Sequence, residues 1–398
     1  MKKIKFKQNG AVSLFVVIFT ALLMTVVTVS FVRIMLQDQK QATSTDLSQS
    51  AYDSAQAGVE DAKRALLLYQ SICNSYGHTS ADCIEATKAI NSTECNESVS
   101  ILKDIRDIVK EDGVNIETGS NDTKLNQSYS CLKINLNTPD YLGELKKDES
   151  KVIPLIGEKY FDTVQIDWFN NVEGKIKLYP LSTYWPLVTT DWGADNPPIL
   201  RSQFIQFAES FRLTDFDYAN SSTLFLYPFG NTGVSFDSVG SVSNTKDISL
   251  IDFRRTPTGK PTPIRCSGTI SNGSYACSAK IKLSNPANYV AGGGRELYLN
   301  LASINNQTNY RVSLYDSSPA VPELINFHAV QPQIDSTGRA STLYRRVATR
   351  VEMTDINFSY PEAAINLTGN FCKDFSITDN PNDFNHDSSD SSVGKCTP

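Results

Sequence analysis

From Ala11 to Val32 the chain runs for 22 residues without a charge, a proline or a glycine. Fourteen of these residues are Val, Ile, Leu or Phe. Each of those favours the bilayer interior by about 0.3–0.6 kcal/mol, which five Ser and Thr residues offset only in part. As a helix the run spans about 33 Å, against a hydrocarbon core of about 30 Å. Such a segment crosses a membrane or is enclosed by other apolar surface. Lys2, Lys3, Lys5 and Lys7 precede it with no acid among them, so the positive-inside bias holds the N-terminus in the cytoplasm. A secretory signal has a shorter apolar core, about 7–15 residues, before a small-residue cleavage site. Here the core is longer and only Thr28-x-Ser30 offers such a site. The expectation is a single-pass cytoplasmic membrane protein with an extracytoplasmic C-terminal part.

The helical pattern continues past the membrane. No glycine occurs between Gly10 and Gly58, and the first proline is Pro139. Leu47, Ala51, Ala55, Gly58, Val59, Ala62, Leu66 and Tyr69 recur mainly at steps of three and four, forming one apolar stripe on a helix. Asp46, Gln49, Asp53, Gln56, Glu60, Asp61, Lys63 and Arg64 fill the other faces. A helix over residues 11–70 is expected, about 90 Å long. The small residues of the stripe favour close packing under a β-domain over a leucine-rich dimer seam. A bare stalk or a coiled coil is the alternative.

Composition narrows the partners. Removing the four leader lysines from the formal net charge of −6 leaves −10 for residues 33–398, a poor match for a nucleic-acid backbone. The basic pairs Arg254/Arg255 and Arg345/Arg346 read as solvated strand faces, with anion binding as the alternative. Eight cysteines (Cys73, Cys83, Cys95, Cys131, Cys266, Cys277, Cys372, Cys396) form no CxxC, and the three histidines give no usual zinc spacing. An even, well-spaced set beyond a membrane anchor reads as disulfides in an oxidising compartment. Of the connectivities open to eight cysteines, sequential pairing closes the shortest loops.

Residues 71–135 read as a small Cys-rich helical subdomain, with Ile101, Leu102, Ile105, Ile108 and Val109 marking a short helix that ends near Gly113. From about Leu132 the pattern becomes alternating strands, with residues 136–398 as a β-rich domain: Val164–Trp168, Ile176–Leu178, Leu224–Leu226, Ile248–Leu250, Leu297–Leu301 and Leu343–Val351. GNTG, NPP, SNG, GGG and DSTG read as turns between them. Cys266 and Cys277 flank Asn272-Gly273 and are expected to join two strands of one hairpin. The expected fold class is α+β, with the long helix packed on an antiparallel β-rich C-terminal domain.

A basic leader ending in Gly10, an uninterrupted apolar run and the half-helix SAYDSAQAGVEDAKRAL (residues 50–66) together resemble type IV pilins. More narrowly, they are similar to PilX-like minor pilins and to the large minor pseudopilin. The resemblance covers about residues 1–70. It implies cutting between Gly10 and Ala11 by a prepilin peptidase and methylation of Ala11. It also implies partnership with other pilin subunits, through a helix retained in the mature chain and held in the bilayer before assembly. Two places depart from the pattern. Phe15 stands where most pilins carry a glutamate, and the usual mid-helix proline is replaced by Val32 or its neighbours. A missing carboxylate fits a tip or priming subunit, as in the large minor pseudopilin. The resemblance further implies that Cys372 and Cys396 bound an exposed C-terminal loop, with an ordinary terminal staple as the alternative.

Nothing in the sequence points to catalysis. GxxxxGK[ST], GxSxG and HExxH are absent, and Gly292–Gly294 lacks a nucleotide-loop setting. Asp383, Asn385 and Asp387 begin like a calcium loop, but the central glycine is missing and Gly394 stands in the glutamate position. No cofactor is expected. The functional expectation is a non-enzymatic filament subunit with an adhesive β-domain. A static membrane-anchored surface binding protein and a tethered exported enzyme are the rivals.

Overall fold

The computed structural model describes residues 10–77, 79–102, 109–110, 113–115, 127–170, 176–178, 192–206, 221–230, 245–249, 262–268, 270, 273–283 and 297–353. One helix dominates it. α1 (Gly10–Tyr76) runs 67 residues without interruption, six residues beyond the expected end. It ends where Gly77 takes a left-handed φ of 84°, the conformation glycine adopts after a helix at no steric cost. Ser80 then caps α2 (Ala81–Ile90), its side chain accepting from the Cys83 amide. α2 turns Cys83, Ala86 and Ile90 inward.

Strands are numbered along the chain. The first sheet has the order β1 (Val109–Lys110), β2 (Gly113–Asn115), β3 (Ser128–Thr138), β15 (Phe327–Ala340) and β16 (Leu343–Arg350), all antiparallel. Val59, Ala62, Leu66 and Tyr69 of α1 share one core with Leu132, Ile134 and Leu136 of β3 and Ile334 of β15. Ala51, Ala55 and Ala62 are completely buried, so much of the helical stripe is shielded although its side chains are small. Small side chains matter here because backbone approaches backbone. A Cβ on Gly338 would lie 2.1 Å from the Ala51 carbonyl oxygen and 2.2 Å from the Ala55 nitrogen. A Cβ on Gly58 would lie 2.4 Å from Ser336 Oγ. Above these contacts, the Tyr129 hydroxyl donates to Asp61 at 3.0 Å.

Two further sheets enclose a second core. One has the order β10 (Thr262–Arg265), β8 (Ser221–Phe229), β7 (Ile199–Gln206), β12 (Leu297–Ile304) and β5 (Ser150–Pro154). The other has β14 (Glu323–Ile325), β13 (Thr308–Asp316), β6 (Thr163–Trp168), β11 (Cys277–Lys282) and β9 (Thr245–Ser249), with β4 (Tyr141–Leu145) also on β13. Alternation puts Leu200, Phe204, Leu226 and Leu299 from one sheet and Ile166, Trp168, Val312 and Leu314 from the other into that core. Pairing is antiparallel except for β8–β10 and β9–β11.

Among the described residues three cysteine pairs are bonded: Cys73–Cys83, Cys95–Cys131 and Cys266–Cys277. The first ties the end of α1 to α2. The second brings the segment after α2 onto the edge of β3, where Asn96 bonds the Ser130 carbonyl and the Leu132 amide and Asn91 accepts from the Leu136 amide. Side-chain amides thus occupy part of a strand edge that would otherwise expose unpaired backbone. The expected Cys372–Cys396 pair lies outside the described residues.

Several expectations need correction. Cys266–Cys277 does not link two strands of a hairpin. β10 pairs with β8 and β11 with β6 and β9, so the disulfide joins two different sheets at the point where the chain crosses between them. Within DSTG, Gly338 is not a turn residue but lies inside β15. Its missing side chain admits the helix backbone, and the hairpin turns at Ser341, whose φ is 54°. Val109 belongs to strand β1, not to a helix, and residues 103–108 lie outside the described set. Ile176–Leu178 is not a strand.

Candidate functional site: an exposed apolar helix

The lower part of α1 is where the chain departs most from an ordinary soluble surface. Every residue from Leu14 to Leu36 is exposed, including Phe15 at 78% and Met24 at 73%. Between Leu14 and Val32 there is no charge; Arg33 follows. The segment is long and apolar enough to cross a membrane by length and composition. Its hydroxyls are compatible with that environment. Thr20, Thr25, Thr28 and Ser30 donate to the carbonyls of Val16, Leu22, Met24 and Val26, leaving few polar hydrogens facing outward. The candidate processing residues Gly10 and Ala11 occupy the first turn of α1, which holds no acidic side chain.

Above Leu36 the helix stays exposed through Asp46, now with polar residues on all faces. Thr43 and Thr45 donate back to Gln39 and Gln41. Only from Leu47 upward does one face become covered. α1 thus has three lengths: an apolar rod, a polar spacer and a docked half.

Several charged side chains among the described residues of the β-region join neighbouring strands. Asp167, buried, takes Nε and Nη2 of Arg311 at 3.0 and 2.9 Å and accepts from Gln165 and Ser278, joining β13, β6 and β11 in one row. Burial alone lowers the Arg311 pKa, but hydrogen bonding and the charge of Asp167 more than reverse this. Asp162 is pushed up by burial and pulled further down by the Ser317 hydroxyl and amide, Thr163 and Lys282, ending below the usual carboxylate range. Tyr141 donates to Glu352 at 2.8 Å, and burial with the neighbouring Tyr310 and Glu352 raises its phenol. Burial first, then the Asp61 charge, raises Tyr129 likewise, so it remains a donor to Asp61.

Among the described residues no group of three or more His, Cys, Asp or Glu is placed to hold a metal ion. Asp383, Asn385, Asp387, Cys372, Cys396, Arg254 and Arg255 lie outside the described residues. Arg345 and Arg346 are on β16, where Arg345 donates to Ser48 of α1 at 2.7 Å and Arg346 pairs with Asp335. Sequence reading singled out this pair but not Arg339, which the hairpin brings beside them through the β15–β16 register. No protein-family model matches the chain, and no curated protein gives a significant match.

Proposed function

We propose that the chain is a subunit of a type IV pilin-like filament and acts by assembly, not by catalysis. One observation carries the reading: Leu14–Val32 is uncharged and exposed on every side, within a helix that continues unbroken to Tyr76. Such a rod needs an apolar surround, which either lipid or the helices of neighbouring subunits supply. Exchange between the two is nearly neutral in free energy, because lipid chains are as apolar as leucine. The rod can therefore leave the bilayer for a filament core. The N-terminus lies in the cytoplasm and the β-domain outside, as the leader lysines direct. A prepilin peptidase would cut between Gly10 and Ala11. Docking of the small-residue stripe on the β3–β15–β16 sheet makes rod and head one lever, so that packing of rods sets the positions of heads. Phe15 in place of a glutamate leaves no carboxylate to meet a neighbour's amino terminus, which suits a tip or priming position. The β-domain is then an adhesive or priming surface facing outward.

The same Phe15 also favours a second reading, a static anchored surface protein whose helix never leaves the membrane. Shearing surface filaments from cells separates them. The filament reading expects the mature chain in the sheared fraction, and expects that portion to vanish when the peptidase is inactivated. A chain found only in membranes, with or without peptidase, overturns it in favour of the static anchor.

A further inference from the structure

The β15–β16 hairpin gathers positive charge at the end of the exported part nearest the anchor. Its direction follows from the helix contacts. Ile334 shares a core with Val59 and Leu66, Ser336 abuts Gly58, and Gly338 abuts Ala51 and Ala55. β15 therefore descends towards the rod, and the turn at Ser341 lies at its lower end, where Arg345 Nε meets Ser48. Arg339 and Arg346 share one face of the hairpin there with its single carboxylate, Asp335, which pairs with Arg346, and Arg345 lies on the opposite face beside α1. Tyr344 stands 55% exposed, with the Arg339 guanidinium 5.9 Å from its ring centre. The adjoining stretch of α1 adds Arg33 and Lys40 against Asp38 and Asp46, which cancel. The hairpin is thus a positive patch on an exported part that is otherwise acidic.

We propose that, while the chain resides in the membrane, this hairpin engages an anionic lipid surface. The distances permit it. From Val32, the last residue before Arg33, to Ser48 the helix rises about 24 Å. The headgroup layer takes up roughly 5–8 Å of that, leaving about 16–19 Å, about two Debye lengths at physiological salt, so the contact needs the head to lean towards the surface. A helix tilt of about 20°, the usual value, brings one side of the domain lower still. Arginines supply the charge, and a partly exposed tyrosine suits the headgroup level, where aromatic rings gather. The contact would hold the head against the bilayer before assembly and be released when the rod leaves. The contact itself rests only on the rod lying in a bilayer, and its release alone depends on the filament reading.

The test uses the full chain, one copy per nanodisc, comparing discs of phosphatidylcholine alone with discs also containing phosphatidylglycerol. Backbone hydrogen exchange is followed over residues 339–346. The proposal expects exchange slowed about tenfold in the anionic discs, with the slowing reversed when added salt shortens the Debye length to about 3 Å. It also expects the effect to be lost in Arg339→Gln/Arg345→Gln/Arg346→Gln and kept in Lys88→Gln on α2. Unchanged exchange in β3 of the triple variant establishes that it is folded. Equal exchange in both lipids overturns the proposal. So does protection that appears only with two copies per disc whatever the lipid, because that assigns the hairpin to a second copy.

Discussion

The two halves of α1 share one unbroken backbone and opposite fates. The half richest in large apolar side chains, Leu14–Val32, is bare, whereas the upper half, with alanine or glycine at four of the eight stripe positions, buries that one face. Hydrophobicity alone would rank them the other way. The lower half is apolar around its whole circumference, so no single protein face can cover it; it requires a surrounding medium. The upper half is apolar along one line and narrow enough there for a sheet to approach to backbone contact, as the clearances at Gly58 and Gly338 show. Side-chain size and distribution around the helix separate what inserts from what docks.

That contrast can be broken at either end. Gly338→Val places a branched side chain in the Ala51 and Ala55 backbone and is expected to destabilise the exported part by about 3 kcal/mol or more. The denaturant midpoint of the detergent-solubilised chain reads this, and membrane retention should be unchanged. Leu23→Arg attacks only the rod. A cationic residue mid-span costs about 2.5–3.5 kcal/mol of insertion, so the fraction resisting alkaline extraction from membranes should fall sharply. Tyr129→Phe removes the hydrogen bond to Asp61 while the carboxylate keeps its bridge to Arg64. A loss of about 1 kcal/mol is expected, again in the unfolding midpoint.

The smallest effect lies away from the helix. Asp162 has a depressed pKa in the folded protein, so its stabilising contribution is complete above the unfolded carboxylate pKa and fades as pH falls through the lower, folded value. Asp162→Asn should flatten the acid limb of stability against pH. Hydrogen exchange of residues 51–69, the docked part of the helix, should not respond.

Much of this was legible because periodicity survives in a linear pattern. The stripe from Ala51 to Tyr69 and the alternation in β6, β8 and β12 each reflect one face meeting one core. The errors arose where tertiary approach overrides local preference. Gly338 looks like a turn residue, yet its freedom from a side chain serves a neighbouring helix. The Asn272-Gly273 signal suggested a hairpin, but its flanking strands pair with partners far along the chain. Residues 71–135 were read as a helical subdomain, but its helix was placed at Ile101–Val109 and not at α2, although Ser80 and the Cys83, Ala86, Ile90 spacing announce α2. Of the candidate functional surface, the rod was visible from composition, since an uncharged run is a local property. The arginine cluster was visible only as a pair. Arg339 joins Arg345 and Arg346 through cross-strand register, and its position near the anchor depends on which way β15 runs along α1.

The central claim is that the apolar rod remains part of the working protein and is lodged in lipid or among like helices. Intact mass and N-terminal sequencing of the mature chain from its native cells test it most directly. The account predicts a chain beginning at Ala11 with the rod attached. A mature chain beginning beyond Val32 would contradict it, because the exposed helix would then be a discarded signal.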